Sequence, residues 1–247
     1  MRARCGCVPA QSSADSPRMG CGFRCLPGTE SGIRGLYDRG MTVNAIILTG
    51  GRSRRFDGVH KPGVEVGGRS TISRILQSIR GAAADTEVWV AGPADGLSAA
   101  EQKGVRFVRE EPEFAGPLAG IAAAVAAMPP EADFPAEMAD VTLVLAGDMP
   151  LITAGHLGVL ISACRATGRP ATGADDRGKT QFLCAAWPTR LLRARLTEIG
   201  DPTDGAVKLL FAGLEPVAVA VDPEVVSDFD TAAELEAIRT RLSPDGP

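Results

Sequence analysis

Aromatic residues are scarce in this sequence, and it has no excess of positive charge. Phe, Trp and Tyr make up 4% of the 247 residues, and 26 Lys and Arg residues stand against 30 Asp and Glu residues, for a formal net charge of −4. So few rings disfavour a stacking platform for single-stranded nucleic acid, and a net negative chain has no overall field that attracts phosphate backbones. We therefore expect no nucleic-acid partner.

Long apolar runs are also absent. The longest extends from Pro117 to Met128 and is rich in alanine, whereas a membrane-spanning helix needs ~20 apolar residues. Gly and Pro, with 29 and 18 residues, are scattered without a period, which excludes a collagen-like or low-complexity chain. With 45% of its residues apolar, the chain can bury a sizeable core. We expect a monomeric, cytoplasmic protein with no membrane partner.

Residues 1–40 differ from the rest, because no apolar periodicity marks a strand or helix there. They hold four of the six cysteines, namely Cys5, Cys7, Cys21 and Cys25. Their C-x-C and C-x₃-C spacing is not that of the common zinc sites, and the segment lacks the apolar region of a signal peptide. We expect residues 1–40 to be a disordered extension or a mis-assigned start, and residues 41–247 to form one domain in which Cys164 and Cys184 are core residues.

From Met41 onward, strand and helix patterns alternate. Val43–Leu48 and Val141–Ala146 are almost entirely apolar, which is typical of strands buried on both faces. The other predicted strands are Glu87–Ala91, Val105–Val108, Gln181–Trp187 and Pro216–Val221, and the helices lie around Ile72–Ile79, within Gly116–Met128, after Thr153, at Leu191–Ile199 and after a capping box at Thr231. This alternation predicts an α/β fold with a single doubly wound, mainly parallel sheet and helices on both faces.

Two strand ends carry residues that suit phosphate chemistry. The first predicted strand is followed by Gly50-Gly51 and then by Arg52, Arg55 and Lys61. Paired glycines let the backbone approach a ligand, and their N–H groups can form an anion-binding nest. Since ligands of such sheets bind beyond the carboxyl ends of the strands, this segment predicts a site for a diphosphate or triphosphate. The pattern is neither the P-loop nor the dinucleotide fingerprint, which disfavours a dehydrogenase.

Asp148 follows the strand Val141–Ala146 after a single glycine. A carboxylate at the tip of a buried strand faces the ligand crevice, where it can hold a magnesium ion that also binds nucleotide phosphates. We expect Lys61 and Asp148 to lie at one shared site.

Four segments, in order, resemble the motifs of the molybdenum cofactor guanylyltransferase (MobA-type) family of nucleotidyltransferases. LTGGRSRRFDGVHK is similar to the family's L-A-G-G-x-S-x-R-M-G-x-D-K. The others are the GPLAG segment within Phe114–Gly120, the LAGDMPLI segment around Asp148, and the late block Val226–Leu235. The resemblance extends from Met41 to Leu242 and implies a nucleotide-diphospho-sugar transferase-like, Rossmann-like fold.

The resemblance also implies roles for individual residues. Guanine and ribose would be lined by Leu48, Thr49 and Gly50. The phosphate loop would contain Gly51, Arg52 and Arg55. Other nucleotide contacts would come from Lys61, Glu111 and Asp148. Magnesium would be bound by Asp148 and Asp230, and the acceptor would lie near Asp228 and Asp230. The catalytic residues would be Arg55, Lys61 and Asp148.

The sequence departs from the family pattern at several of these positions. Thr49 replaces the usual Ala, His60 stands where Asp normally precedes the lysine, and Ala91 occupies the position of a nucleotide-contacting Asn. These departures bear on base reading and phosphate geometry.

The resulting hypothesis is magnesium-dependent transfer of GMP from GTP to molybdopterin, with release of pyrophosphate. The phosphate nucleophile is already ionised, so the protein has mainly to align two anions and neutralise growing charge. Two alternatives stay open: a CTP-dependent nucleotidyltransferase acting on molybdenum cofactor or another small acceptor, and a non-catalytic nucleotide-binding homologue. Other cofactor-biosynthesis proteins or apo-molybdoenzymes are the protein partners that this hypothesis suggests.

Overall fold

The computed structural model describes residues 42–50, 60–130, 140–174, 179–222, 224–226, 229 and 231–242. The strands are β1 (Val43–Leu48), β2 (Glu65–Val66), β3 (Arg69–Ser70), β4 (Glu87–Ala91), β5 (Arg106–Val108), β6 (Val141–Ala146), β7 (Ala171–Ala174), β8 (Thr180–Pro188) and β9 (Val217–Ala220). The α-helices are α1 (Thr71–Ala82), α2 (Ala99–Gln102), α3 (Pro117–Ala127), α4 (Ala154–Thr167), α5 (Thr189–Ile199) and α6 (Ala232–Leu242). Short 3₁₀ helices cover Lys61–Gly63 and Val207–Phe211.

Seven of the strands form the central sheet, in the order β5-β4-β1-β6-β8-β7-β9. β1 runs parallel to β4 and β6, β4 to β5, and β7 to β9, while β8 is antiparallel to both of its neighbours. The predicted α/β fold with a mainly parallel sheet is therefore confirmed. The reversal of β8 follows from the short connection after β7, because joining parallel strands takes a crossover of about a dozen residues.

Helices cover both faces of the sheet. In β1, Ala45 and Ile47 belong to the core cluster that includes α1 and α4, whereas Ile46 and Leu48 belong to the cluster that includes α3 and α5. Side chains of successive strand residues point to opposite faces. This explains why all of β1 is buried and why its sequence is apolar except at Asn44.

Side-chain caps fix where several helices begin. Thr153 accepts a hydrogen bond from the His156 N–H at the start of α4. At α6, the Thr231 hydroxyl accepts from the Glu234 N–H, and the Glu234 carboxylate accepts from the Thr231 N–H. This reciprocal pair is the predicted capping box.

A third apolar cluster joins the C-terminal helix to the segment after Lys61. It contains Val66, Phe229, Leu235 and Ile238, and Phe229 is fully buried. This cluster brings the late sequence block towards the ends of β1 and β6.

The two described cysteines, Cys164 and Cys184, are free thiols in the core, as predicted. Burial raises the pKa of each thiol to about 12, so neither is a nucleophile at neutral pH. No helix in the described part of the chain is long and apolar enough to cross a membrane. The predictions for residues 1–40 and their cysteines concern residues outside those that the structure describes.

Candidate functional site

The ends of β1 and β4 are joined by hydrogen bonds to one carbonyl. The Ala91 oxygen accepts from the N–H groups of Thr49 and Gly50 at 3.0 and 3.1 Å. The Thr49 hydroxyl donates to the Pro93 oxygen at 3.0 Å, and Thr49 is 2% exposed. The Gly50 amide, expected to face phosphate, is therefore bonded to the neighbouring strand, and Thr49 ties the two strand ends together.

Gly147 brings the end of β6 against the end of β1. Its N–H donates to the Leu48 oxygen at 2.9 Å, and a Cβ at this position would lie only 2.6 Å from the same oxygen. Any side chain here would therefore push the two strand ends apart. The glycine sets Asp148 beside the segment that follows β1.

Lys61 and Asp148 meet at these strand ends. The Lys61 Nζ lies 3.8 Å from the Asp148 Oδ2, with 11% and 27% of the two side chains exposed. The Nζ also lies 5.7 Å from the centre of the Phe229 ring, within the range of a cation–π contact. The ammonium is thus near both a carboxylate and an aromatic ring.

His60 connects the end of β1 with the turn that carries Lys61. Its Nε2 lies 2.9 Å from the Thr49 carbonyl oxygen, and since a carbonyl only accepts, this nitrogen carries the hydrogen. The Nδ1 lies 3.8 Å from the Asp95 Oδ2. His60 is therefore a link between the end of β1 and the neighbouring segments of the site.

A cavity of about 200 Å³ opens beside the end of β1. Its lining residues are Leu48, Gly50, Ala91, Glu110, Phe114, Gly116, Pro117 and Gly120. A second cavity of about 180 Å³ shares Gly50, Glu110 and Phe114 with the first. The two are neighbouring parts of one cleft. The walls of the first part are largely apolar apart from Glu110, whereas the second part is also lined by Arg109 and Glu113.

Of the two adjacent acids Glu110 and Glu111, it is Glu110 that lines this cleft, with Glu113 as a further acidic residue in its second part. Glu110 lines both cavities, and its Oε1 accepts a hydrogen bond from the Phe114 N–H at 3.2 Å. Glu111 is exposed and is not among the lining residues. The sequence offers two adjacent acids, and only their placement distinguishes them.

The structure brings together part of the set of predicted site residues. Leu48 and Gly50 line the cavity, Thr49 is buried beside it, and Lys61 pairs with Asp148. The remaining predicted residues, which lie outside the described part of the chain, are Gly51, Arg52, Arg55, Asp228 and Asp230.

Sequence reasoning missed Glu110, Phe114 and Phe229 as site residues. Phe114 stands two residues before Gly116, the first residue of the GPLAG segment, so its place beside the motif is visible in the sequence but its position in the cleft is not. In the sequence, Phe229 is one apolar residue shortly before a predicted helix. Only its contact with Lys61 connects it with the site.

The residues present fit a magnesium ion that is shared with a substrate. Among the described residues, no group of three or more His, Cys, Asp or Glu side chains could hold a metal alone. Magnesium commonly takes one or two carboxylates and completes its shell with phosphate oxygens and water. The partly exposed Asp148 carboxylate is a ligand of that kind.

Comparison with known sequences gives a consistent family. Residues 45–219 match the MobA-like NTP transferase domain. The chain is 36% identical over 114 residues to a probable molybdenum cofactor guanylyltransferase of Haloferax mediterranei, covering 45% of this chain and 50% of that protein. It is 29% identical over 153 residues to a molybdenum cofactor guanylyltransferase of Bradyrhizobium, covering 60% of this chain and 68% of that one. The chain thus spans about half the length of the first relative.

Solved structures share the fold. The molybdopterin-guanine dinucleotide biosynthesis protein A of Archaeoglobus fulgidus matches with a TM-score of 0.57 at 18% identity, over 79% of this chain and 96% of that one. The 2-C-methyl-D-erythritol 4-phosphate cytidylyltransferase of Thermus thermophilus matches with a TM-score of 0.57 at 19% identity, over 82% of this chain and 99% of that one. At these identities the likeness concerns the fold alone, and it is the match over residues 45–219 that assigns the chain to the family of MobA-like NTP transferase domains.

Proposed function

We propose that this protein is a nucleotidyltransferase of molybdenum cofactor biosynthesis that transfers GMP from GTP to molybdopterin and releases pyrophosphate. The observation that carries the proposal is the 3.8 Å approach of Lys61 to Asp148 beside a cleft lined by the end of β1. The names of the relatives agree with this activity.

The reaction asks for positioning and charge neutralisation. A phosphate oxygen of the acceptor attacks the α-phosphorus of GTP, the bond from that phosphorus to the bridging oxygen breaks, and pyrophosphate leaves with the electron pair. The attacking oxygen is already ionised, so no general base is needed. Lys61 would neutralise phosphate charge in a partly desolvated site, where such charges act most strongly.

Asp148 is the described residue that would hold Mg²⁺, and the ion would supply further positive charge beside the phosphates. The ion-pair distance of 3.8 Å between Lys61 and Asp148 is longer than a direct hydrogen bond. A bound phosphate or metal would therefore not have to replace a direct hydrogen bond between these two groups. Asp230 is proposed as a second metal ligand, and Asp228 as a residue near the acceptor.

Glu110 favours guanine over cytosine as the base in the cleft. An ionised carboxylate only accepts hydrogen bonds, and guanine presents two neighbouring donors, its ring N1–H and its 2-amino group. Cytosine presents a ring acceptor beside its single amino group. That ring acceptor would face the carboxylate oxygens, which are acceptors too, and the contact would be unfavourable. We therefore propose Glu110, in place of Glu111, as the acid that contacts the base.

The test is an assay of the full chain with molybdopterin, magnesium and each of the four nucleoside triphosphates, in which pyrophosphate is measured. We expect the fastest release with GTP. Fastest release with CTP would favour the cytidylyl alternative. Binding of GTP without pyrophosphate release would favour the non-catalytic homologue, and either result would overturn the proposal.

A further inference from the structure

Phe114 is an exposed aromatic residue at the cleft beside β1. Its exposed fraction is 51%, and it lines both the 200 Å³ and the 180 Å³ cavities. Large apolar side chains gain free energy by leaving water, so an exposed ring at the mouth of an apolar cleft is a candidate for contact with a ligand.

The backbone of Phe114 is held in an unfavourable conformation. Its φ of 64° lies in the left-handed region that aromatic residues seldom adopt. The N–H of Phe114 donates to the Glu110 carboxylate at 3.2 Å. The next residue, Ala115, donates to the Pro112 oxygen at 3.2 Å and accepts from the Asp204 N–H at 2.7 Å. Conformations of this kind persist where the surroundings hold them, and they concentrate at ligand-binding sites.

Small residues form part of the wall of the cleft that Phe114 borders. Three of its lining residues, Gly50, Gly116 and Gly120, have no side chain. A Cβ at Gly120 would lie 3.2 Å from the Leu48 Cδ2 and 3.4 Å from the Ala91 Cβ, so even a methyl group here would crowd the wall. A largely apolar cavity of about 200 Å³ with an aromatic residue at its edge suits a flat heterocycle.

We propose that Phe114 stacks on the base of the bound nucleotide and favours purines over pyrimidines. The inference rests on the proposed function, because it assumes that the cleft beside β1 receives the base. Stacking on an aromatic side chain tolerates any base, and the larger face of a purine gains more contact. In this arrangement Glu110 fixes the Phe114 backbone with one oxygen while its second oxygen faces the cleft near Gly120, so the two residues act on the same base.

A tryptophan at this position would report stacking directly. The native Trp89 and Trp187 are 5% and 0% exposed, so their fluorescence should change little when a ligand binds. We expect GTP to quench the fluorescence of Phe114→Trp strongly. The matched control is Phe107→Trp, because Phe107 is 42% exposed. Its neighbours in β5 are Arg106, which packs over Trp89, and Val108. Since successive side chains of a strand alternate between faces, Phe107 points to the other face of the sheet. We expect no quenching there.

The affinity for GTP distinguishes stacking by an aromatic ring from apolar contact that any large side chain could make. By calorimetry, Phe114→Ala and Phe114→Leu should both bind GTP about tenfold more weakly than the parent, while Phe107→Ala should bind normally. Thermal unfolding checks that each variant is folded. If Phe114→Leu binds like the parent, or if Phe114→Trp binds GTP without quenching, the stacking role is wrong although the proposed function stands. If the parent binds no nucleoside triphosphate, both proposals fail.

Discussion

The Nζ of Lys61 lies 3.8 Å from the Oδ2 of Asp148, although one residue follows the loop after β1 and the other follows β6. The contact depends on two parallel neighbours, β1 and β6, whose carboxyl ends meet at the same edge of the sheet. Gly147 allows the close approach. A cation and a carboxylate are thereby placed at the position where an α/β sheet of this type receives its ligand.

Replacing Asp148 by Asn should lower the rate of pyrophosphate release at least about 100-fold, the loss typical for one electrostatic group of an active site. The amide keeps the shape but has neither the negative charge that holds magnesium nor the attraction for Lys61. Asp85→Asn is the control, because Asp85 is exposed in the turn before β4, at the opposite edge of the sheet. An Asp148→Asn variant as active as Asp85→Asn would show that this carboxylate has no part in the reaction.

Glu110→Gln and Glu111→Gln together identify the acid that contacts the base. Because an amide offers a donor where the carboxylate accepts, Glu110→Gln should reduce the preference for GTP over CTP about tenfold or more, in line with the discrimination of a paired base contact. Glu111→Gln should retain the preference, since Glu111 is outside both cavities. The measurement is the ratio of kcat/KM for the two nucleotides. A loss in Glu111→Gln alone would restore the assignment made from the sequence.

The sequence predicts most of the sheet because its central strands are buried on both faces. β1 and β6 are apolar except at Asn44 and Thr142, and these strands have the predicted bounds. β7, with the sequence ATGA, has no apolar run and was not predicted. Its burial arises from pairing with β8 and β9, which a local pattern does not contain.

The site residues likewise include some that the sequence predicts and some that depend on tertiary contacts. Lys61 and Asp148 could be placed near each other because both follow strands that run in parallel. The choice between Glu110 and Glu111, and the packing of Phe229 beneath Lys61, depend on side-chain directions set by tertiary contacts. Such contacts are decided after the elements have packed, so motif spacing alone could not supply them.

Phe229→Leu should weaken nucleotide binding through Lys61. Leucine keeps much of the apolar packing with Val66 and Ile238 but removes the ring beside the ammonium, a contact that typically contributes about 0.5–2 kcal/mol. We expect KM for GTP to rise about three- to tenfold with a smaller change in kcat, and Phe229→Tyr to restore much of the loss.

Phe211→Leu is the matched control for Phe229→Leu. Phe211 is also buried, at 6% exposure, but belongs to the cluster around α3 and α5. Both leucine variants should lose about 1–3 kcal/mol of unfolding free energy, measured by denaturant titration. Equal KM values in the two variants would reduce the role of Phe229 to core packing.

His156 should make the protein less stable in mild acid. Burial lowers the pKa of His156 below its ordinary value of 6.5, and its Nε2 is without a hydrogen-bond partner among the described residues. The unfolded chain therefore takes up a proton more readily than the folded one, so the unfolding free energy is highest above pH 6.5 and falls as the pH decreases towards the lower pKa of the folded state. His156→Gln should flatten this part of the curve, whereas Ser162→Ala, an exposed change on the same helix, should leave it unchanged. Denaturant titrations at a series of pH values measure the slope, and an equal slope in His156→Gln and the parent would assign the acid sensitivity to other groups.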